Sequence, residues 1–572
     1  MDEAWNQPFE APGPGSWLLD TTHFTRPATA FYAETWTAPA GAGFAAGARR
    51  HGILRGDVRF EHVNGFVYSW RGVLDSSGHP RPLASEQEVR ALIERDTELG
   101  ERANAATRTI RERGWRNDLR NWDEHDKPAL LDGHHTLLAV DPSTLLVDDL
   151  IAHIRDCREH LIRAVYAHHR YTIPCLLPVG DLMAHVESWT GGPSEGILQL
   201  LRGSSPVSLG ANDELRDAAM AIRADPAARA LLEADGDAGD CLDRLRRLPG
   251  ATRHATITYI DLIGHRPVNG HDVGEPCAVE MPGLVVRTLR EAVEGTTAAR
   301  RDDTDDRWSD LRAEIPAPLR QEFDTLLGEA RLVNRLRDER DLLADGTAEG
   351  ITRRAILAAG RTLTASGAVD DPTHLVEATF NEIRSLLTHA GGPTAGELAD
   401  RAAYARRVSQ SEAPVLLGPP PSAAPAPEWL PPAMARVERA VDLGLDAIFG
   451  TPADDTGASI RGVGTGGGVY TGPARVLRGT ADFSRVRPGD VLVASGTSPA
   501  FNVVLPLIAA IVTDSGALLS HAAIVAREAG IPGVVGCGNA TTRIHEGAIV
   551  RVDSNTGDVT VCTDQRALHD TH

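Results

Sequence analysis

The spacing of apolar residues divides the chain into two parts. Apolar positions recur at helical spacing over 147–168, 313–344 and 350–367, so these windows are predicted to be helices. Near the start, 62–70 reads as two strands with Asn64-Gly65 as their turn. Later apolar runs such as 507–512 have the length of strands. The pattern predicts an α/β multidomain protein: a large, mostly helical domain followed by a C-terminal sheet-containing domain.

A proline-dense segment lies between these two parts. Residues 415–432 cannot form a regular helix or a central strand. The following 433–449 has apolar residues at helical spacing, and 450–462 is rich in Gly, Asp, Thr and Ala, which is typical of a mobile tether. We therefore predict a mostly helical substrate-binding domain over 14–410, a linker with a short helix over 411–460, and a C-terminal domain over 461–563.

Composition and charge exclude several classes of function. The net charge of −21 argues against a nucleic-acid or anionic-membrane partner, because both need a positive surface. No apolar stretch is long enough to span a bilayer, and the N-terminus lacks the features of a secretory signal, so a cytoplasmic protein is predicted. The six cysteines form no CxxC pair, and the histidine pairs 134–135 and 168–169 have no acidic or thiol neighbours that suggest a site. No metal is assigned.

The basic residues are almost all arginines. Lys127 is the only lysine, so no Walker-type loop is present, and few lysines are offered to the phosphates of ATP. The ATP-binding half of an ATP-dependent enzyme is therefore predicted to be absent. The glycine-rich segment 464–468 is interpreted as a flexible lead-in to the C-terminal domain.

The candidate chemistry lies in 513–528. The strand-length run 507–512 leads to Thr513, Gly516 permits a turn, and Ser520-His521 begins a predicted helix. Free backbone N–H groups and the positive dipole at a helix start can hold a phosphoryl group. A neutral imidazole is also a competent nucleophile. We interpret His521 as an exposed nucleophile, with Thr513, Gly516 and Ser520 as phosphate-binding residues. A lone histidine would more often be a cap or a core residue.

The residues around His521 overturn that ordinary interpretation. They include the runs 489–493 (GDVLV), 497–499 (TSP), 529–536 (AGIPGVVG) and 553–559 (DSNTGDV). Together with 513–528 they strongly resemble the swivelling phosphohistidine domain of phosphoenolpyruvate (PEP)-utilising enzymes. The resemblance implies a β/β/α domain in which His521 is phosphorylated and dephosphorylated. Ala517 stands where that family usually has a second glycine.

The helical part resembles the substrate domain of rifampin phosphotransferase and its relatives. The resemblance is carried by 17–27, 63–68, 259–266 with 274–282, and 336–340. Because the opening motif of that substrate domain is already found at Trp17, the ATP-grasp domain of the family is expected to have no counterpart here.

Phosphoryl transfer needs positioning, neutralisation of the transferred oxygens and a base for the acceptor's proton. Candidates for phosphate contacts are Arg266, Arg337 and Arg340, since arginine binds phosphate bidentately. Candidates for the base are Asp338, Glu339 and His265. An ordinary lattice of ion pairs on a helix surface would look similar in sequence. The resemblance favours Arg337.

These observations predict a phosphotransferase that is one component of a split enzyme. His521 would carry a phosphoryl group from ATP or PEP, bound with Mg²⁺ by a separate ATP-grasp partner, to a small organic acceptor that the sequence does not identify. Two alternatives stay open. His521 could act as an acid or base on an activated small molecule, in a dehydration or condensation. The chain could also be a non-catalytic scaffold relative.

Overall fold

The computed structural model describes residues 8–21, 23–24, 26–192, 195–205, 212–268, 270–294, 309, 311–408, 410–449, 460–478, 480–497, 501 and 504–562. Of the predicted tether 450–462, residues 450–459 lie outside the described residues, as do Ser498 and Pro499 of the TSP run, whereas Ile460–Arg461 form a strand.

The chain forms two compact units. Unit 1 comprises Met1–Trp189, His271–Gly274 and Gln321–Gly444, and unit 2 comprises Thr190–Gly270, Glu275–Arg320 and Leu445–His572. The boundaries of these two units differ from the predicted domain boundaries. The division into 14–410, 411–460 and 461–563 stays a prediction.

The α-helices of the described residues are α1 Ala30–His51, α2 Glu86–Arg95, α3 Thr97–Glu112, α4 Trp115–Asn121, α5 Lys127–Leu138, α6 Val147–Arg170, α7 Thr172–Thr190, α8 Asn212–Ala224, α9 Pro226–Glu233, α10 Ala238–Arg247, α11 Gly250–Gly264, α12 Pro282–Glu294, α13 Arg320–Arg340, α14 Gly346–Ala365, α15 Phe380–Leu387, α16 Ala395–Arg407, α17 Pro432–Phe449, α18 His521–Ala529 and α19 Ala540–Arg543. Two π-helical turns, Trp122–Asp126 and Asp341–Asp345, precede α5 and α14.

The strands are β1 Trp17–Leu19, β2 Asp57–Val63, β3 Phe66–Gly72, β4 Leu416–Leu417, β5 Ile460–Arg461, β6 Val463–Thr465, β7 Val469–Leu477, β8 Asp490–Ala494, β9 Ile508–Thr513, β10 Gly533–Val535, β11 Ile549–Asp553 and β12 Asp558–Val561. The predicted class, a mostly helical α/β chain with a C-terminal sheet, is confirmed. Among the described helices, none is long and apolar enough to cross a membrane.

Unit 1 is built on the close packing of α1 against α6. A Cβ atom added at Gly43 would lie 2.3 Å from the carbonyl oxygen of Tyr166, and one at Gly47 would lie 2.5 Å from that of Arg170. Only glycine permits two helix backbones to approach this closely. The antiparallel sheet of this unit has the order β2-β3-β1-β4, and its hairpin turns at Asn64 and Gly65, both with positive φ as predicted.

Unit 2 is built on an eight-stranded sheet with the order β5-β12-β11-β7-β8-β9-β10-β6. The strands β7 to β10 are parallel, and the residues of β8, β9 and β10 are all buried, as expected for a parallel sheet covered on both faces. Apolar residues of α8 to α12, such as Ile260 and Leu289, share one buried core with Leu492, Ile511 and Val525 of the sheet and α18. This core fixes the position of the β9 end, where the candidate histidine follows.

Candidate functional site

The predicted strand, turn and helix around His521 are present. Strand β9 ends at Thr513, whose hydroxyl donates a hydrogen bond to the carbonyl of Ser515 (2.8 Å). Gly516 has φ +98°, and a Cβ atom there would come within 2.9 Å of the Ser520 side chain. Ser520 caps α18, because its hydroxyl oxygen accepts from the backbone N–H of Ala523 (3.4 Å). Thr513 and Ser520 therefore shape the turn that presents His521.

The imidazole of His521 lies at the first position of α18. Its Nδ1 is 3.0 Å from the hydroxyl oxygen of Thr497. The side chain is only 6% exposed, so the interpretation of His521 as an exposed nucleophile was wrong. The sequence places Thr497 24 residues away, and neither its distance in the chain nor its residue type signals a contact with this ring.

The segment before β7 packs against α18, the helix that begins at His521. Gly464 and Thr465 belong to β6, which pairs with β10, so the interpretation of 464–468 as a flexible lead-in was wrong. The Thr465 hydroxyl donates to the carbonyl of Ala523 (3.1 Å). A Cβ atom at Gly466 would lie 1.9 Å from the carbonyl oxygen of Ile531. The glycines here serve close packing against α18 and the turn after it.

A buried arginine of α18 stabilises the turn that leads to His521. Arg527 on α18 is 2% exposed, and its Nη1 donates to the carbonyl of Leu518 (2.5 Å). A charged donor makes a strong hydrogen bond in a site screened from water. Arg527 is therefore a positioning residue for the turn, and the sequence alone does not distinguish it from an exposed helix arginine.

Backbone contacts complete the loop. Ala517, the departure from the family pattern, donates its N–H to the carbonyl of Ile448 (3.2 Å), and Leu519 donates to that of Ala447 (2.5 Å). Asp514 accepts from the backbone N–H of Thr541 (2.9 Å), and burial raises the pKa of Asp514. The loop that carries His521 is thus tied to the last turn of α17 and to the start of α19.

His265 and Arg266, predicted to bind phosphate, follow the end of α11 in unit 2. Arg266 is buried, and its carbonyl accepts a hydrogen bond from the N–H of Ala278 (3.3 Å). The remaining candidates, Arg337, Asp338, Glu339 and Arg340, lie on the last turn of α13 in unit 1.

Within that turn, Arg337 has the features of an anion-binding group. Its side chain is half-buried, burial lowers its pKa, and its Nε has no hydrogen-bond partner among the described residues. An unsatisfied buried donor is costly, so a ligand oxygen at this position would be stabilising.

Glu339 and Arg340 are held by protein groups instead. The Glu339 carboxylate accepts from Trp122 Nε1 (2.9 Å), Arg335 Nη1 (2.7 Å) and Lys127 Nζ (3.2 Å). Arg340 Nη1 donates to the carbonyl of His168 (2.7 Å). The Glu339 carboxylate is thus bound by three donors of the protein. Asp338 is buried on the same turn.

Comparison with known proteins agrees with both parts of the chain. Residues 486–557 match the mobile domain of PEP-utilising enzymes, and residues 168–343 match the fourth domain of rifampicin phosphotransferase. An uncharacterised phosphotransferase of Bacillus subtilis is 29% identical over 53% of this chain and 36% of its own length. A rifampicin phosphotransferase of a Streptomyces species is 28% identical over 69% of this chain and 46% of its own. The PEP synthase of Escherichia coli is 44% identical over 90 residues, 16% of this chain and 11% of its own.

Residues 486–557, which include β8 to β11, the turn and α18, thus match the mobile domain of PEP-utilising enzymes. The chain is similar in its two matched parts to PEP-utilising phosphotransferases such as rifampicin phosphotransferase and PEP synthase. It spans less than half the length of the curated relatives named here.

Proposed function

We propose that the chain is a phosphotransferase component in which His521 carries a phosphoryl group from a separate ATP-grasp partner to a small organic acceptor. The observation that carries the proposal is the placement of His521. Its ring begins α18, where the helix dipole favours an anion, and a hydroxyl contacts Nδ1. Because Nδ1 contacts Thr497, we take Nε2 as the nitrogen that becomes phosphorylated.

In the first half-reaction, Nε2 attacks the donor phosphorus, the N–P bond forms and the P–O bond of the donor breaks. In the second, an acceptor oxygen attacks phosphorus, the N–P bond breaks and the acceptor loses its proton to a base. Donor binding and Mg²⁺ are assigned to the partner, because this chain has a single lysine and Glu339 and Asp123 already hold it.

The second half-reaction needs cations for the transferred oxygens. Arg337, with its unpartnered Nε, is the strongest candidate, and Arg266 follows. Arg340 is assigned to structure, since its guanidinium donates to His168 and Thr172. Asp338, Glu339 and His265 are the candidate bases, and the carboxylate of Glu339 is held in place by donors of the protein.

The test is phosphorylation of the purified chain with [β-³²P]ATP, [γ-³²P]ATP and [³²P]PEP, each with and without an ATP-grasp partner protein. We expect partner-dependent label that is acid-labile and stable to base, as phosphohistidine is, and none in His521→Ala. The matched control is His545→Ala, an exposed histidine of unit 2, which should label like the natural chain.

Label that persists in His521→Ala would refute the assignment of the carrier. Absence of label with every donor and partner, combined with turnover of an activated small molecule that requires His521, would favour the acid–base alternative. A folded chain with neither label nor turnover would favour the scaffold alternative.

A further inference from the structure

A cluster of histidines in unit 1 is separate from the chemistry assigned to His521. His23, His168 and His169 each offer a ring nitrogen within 4.8 Å of the others. His168 and His169 are 3% and 4% exposed, and His23 is partly buried. The pair 168–169, which the sequence suggests to be ordinary packing or surface residues, therefore meets a third imidazole from a distant segment.

Each of these rings is held through Nδ1 by an oxygen. His23 Nδ1 is 2.7 Å from Asp20 Oδ2, His168 Nδ1 is 2.9 Å from Asp345 Oδ1, and His169 Nδ1 is 2.9 Å from the carbonyl of Val165. The Val165 carbonyl can only accept, so Nδ1 of His169 carries a proton and Nε2 is the nitrogen of that ring left for a ligand. Carboxylate or carbonyl partners at Nδ1 are the usual second shell of metal-bound histidine.

One ring nitrogen of this cluster has no hydrogen-bond partner among the described residues. This nitrogen is His169 Nε2, and it is buried. A buried ring nitrogen without a hydrogen-bond partner costs free energy, and a cation bound at this nitrogen would remove that cost.

The neighbouring group His271, Asp341 and Asp345 has a different character. His271 Nδ1 is 3.2 Å from Glu349, and its Nε2 is 3.6 Å from Asp341. Burial alone would lower the pKa of His271, but these two carboxylates raise it well above the usual value. His271 is thus an imidazolium that supplies its own positive charge and offers no lone pair.

The surroundings of the three rings of His23, His168 and His169 suit a bound ion. Trp36 packs edge-on against His169, with ring centroids 5.1 Å apart, and Phe60 lies 6.0 Å from the same ring. The site therefore has an aromatic wall on one side and carboxylates behind its ligands. The π-helical turn Asp341–Asp345 delivers Asp345 to His168, and such turns often mark functional sites.

From this geometry we infer that His23, His168 and His169 bind one divalent transition-metal ion, with Zn²⁺ the best match, and leave a fourth position open to a water or ligand oxygen. Three imidazoles with anchored Nδ1 atoms are a donor set that Zn²⁺ prefers. Zn–N bonds of about 2.1 Å place tetrahedral ligand nitrogens about 3.4 Å apart, so ring nitrogens within 4.8 Å of one another need only a small shift to bind one ion. The inference is independent of phosphoryl transfer through His521.

The test uses the full chain without an affinity tag of histidines. The purified protein is analysed for metals by mass spectrometry, stripped with a chelator, and titrated with Zn²⁺ by calorimetry and with Co²⁺ by visible absorption. We expect one ion per chain and the absorption bands of four-coordinate Co²⁺. His169→Gln should weaken binding at least 100-fold, and Asp20→Asn, which leaves all three ligands in place, about 10- to 100-fold.

The matched control is His153→Gln, a buried histidine on the same helix α6 that is not in the cluster, and it should bind the ion as the natural chain does. Circular dichroism checks the fold of each variant, and Asp20→Asn keeps the test decisive if His169→Gln fails to fold. Stripped protein that binds neither Zn²⁺ nor Co²⁺ would overturn the inference. Equal binding by the natural chain, His169→Gln and Asp20→Asn would also overturn it.

Discussion

The contact between Thr497 and His521 gives the sharpest prediction. Thr497→Val keeps the shape of the side chain and removes the hydroxyl that lies 3.0 Å from His521 Nδ1. The net value of one such hydrogen bond is about 1 kcal/mol, with a range of roughly 0.5 to 1.5. If that energy orients the ring for attack, the rate of His521 phosphorylation should fall about five-fold, within a range of about two- to thirteen-fold.

The assay is the initial rate of His521 labelling with partner and donor in excess, together with ¹⁵N chemical shifts that report the tautomer of the ring. Thr497→Ser retains the hydroxyl and is the control, expected to label at nearly the natural rate. A Thr497→Val protein with unchanged labelling rate and unchanged tautomer would refute the role of this contact. A fall of several hundred-fold would point to a catalytic role for Thr497 rather than a positioning one.

Two further predictions concern the turn and the acid stability of the fold. Gly516→Ala should destabilise unit 2 by more than about 1 to 2 kcal/mol, the cost of a positive φ for alanine, because its Cβ also meets Ser520 at 2.9 Å. Gly547 also has positive φ, but its Cβ position is in open space, so Gly547→Ala should lose less stability in urea unfolding than Gly516→Ala. Equal losses of stability in the two variants would contradict the steric argument. Burial lowers the pKa of His160 to about 3, and its Nε2 lies 2.9 Å from His134 Nδ1. Because the unfolded chain binds this proton near pH 6.5, stability is complete above that pH and should fall by about 2 kcal/mol between pH 7 and 5. His160→Gln should not show this part of the loss of stability between pH 7 and 5. If the stability of the natural chain and of His160→Gln fell in parallel with pH, the loss could not be due to His160.

Local periodicity was enough to predict the elements that carry the site. The helix predicted at 147–168 is Val147–Arg170, and the one predicted at 433–449 is Pro432–Phe449. The turn at Asn64-Gly65 and the strand before Thr513 were also correct. These features depend on neighbours within one helical turn or one strand pair, which a sequence displays directly.

Contacts between distant segments could not be predicted. Gly464 and Thr465 looked like a flexible lead-in, yet the pairing of β6 with β10 places them in the sheet. Glu339 is predicted as a candidate base, and its contact with Trp122, more than 200 residues away, cannot be seen in the sequence. Residue type and spacing reveal what a side chain can do, whereas burial and the partner's identity decide what it does.

The histidines of this chain show that the hydrogen-bond partner of an imidazole influences which role the ring can take. The ring of His521 contacts the hydroxyl of Thr497, which can donate or accept and therefore suits both the free and the phosphorylated imidazole. His23 and His168 contact the carboxyl groups of Asp20 and Asp345 through Nδ1, the arrangement usually found behind a metal-bound imidazole. The adaptable hydroxyl at His521 and the fixed acceptors in the histidine cluster thus fit a carrier and a metal ligand, respectively.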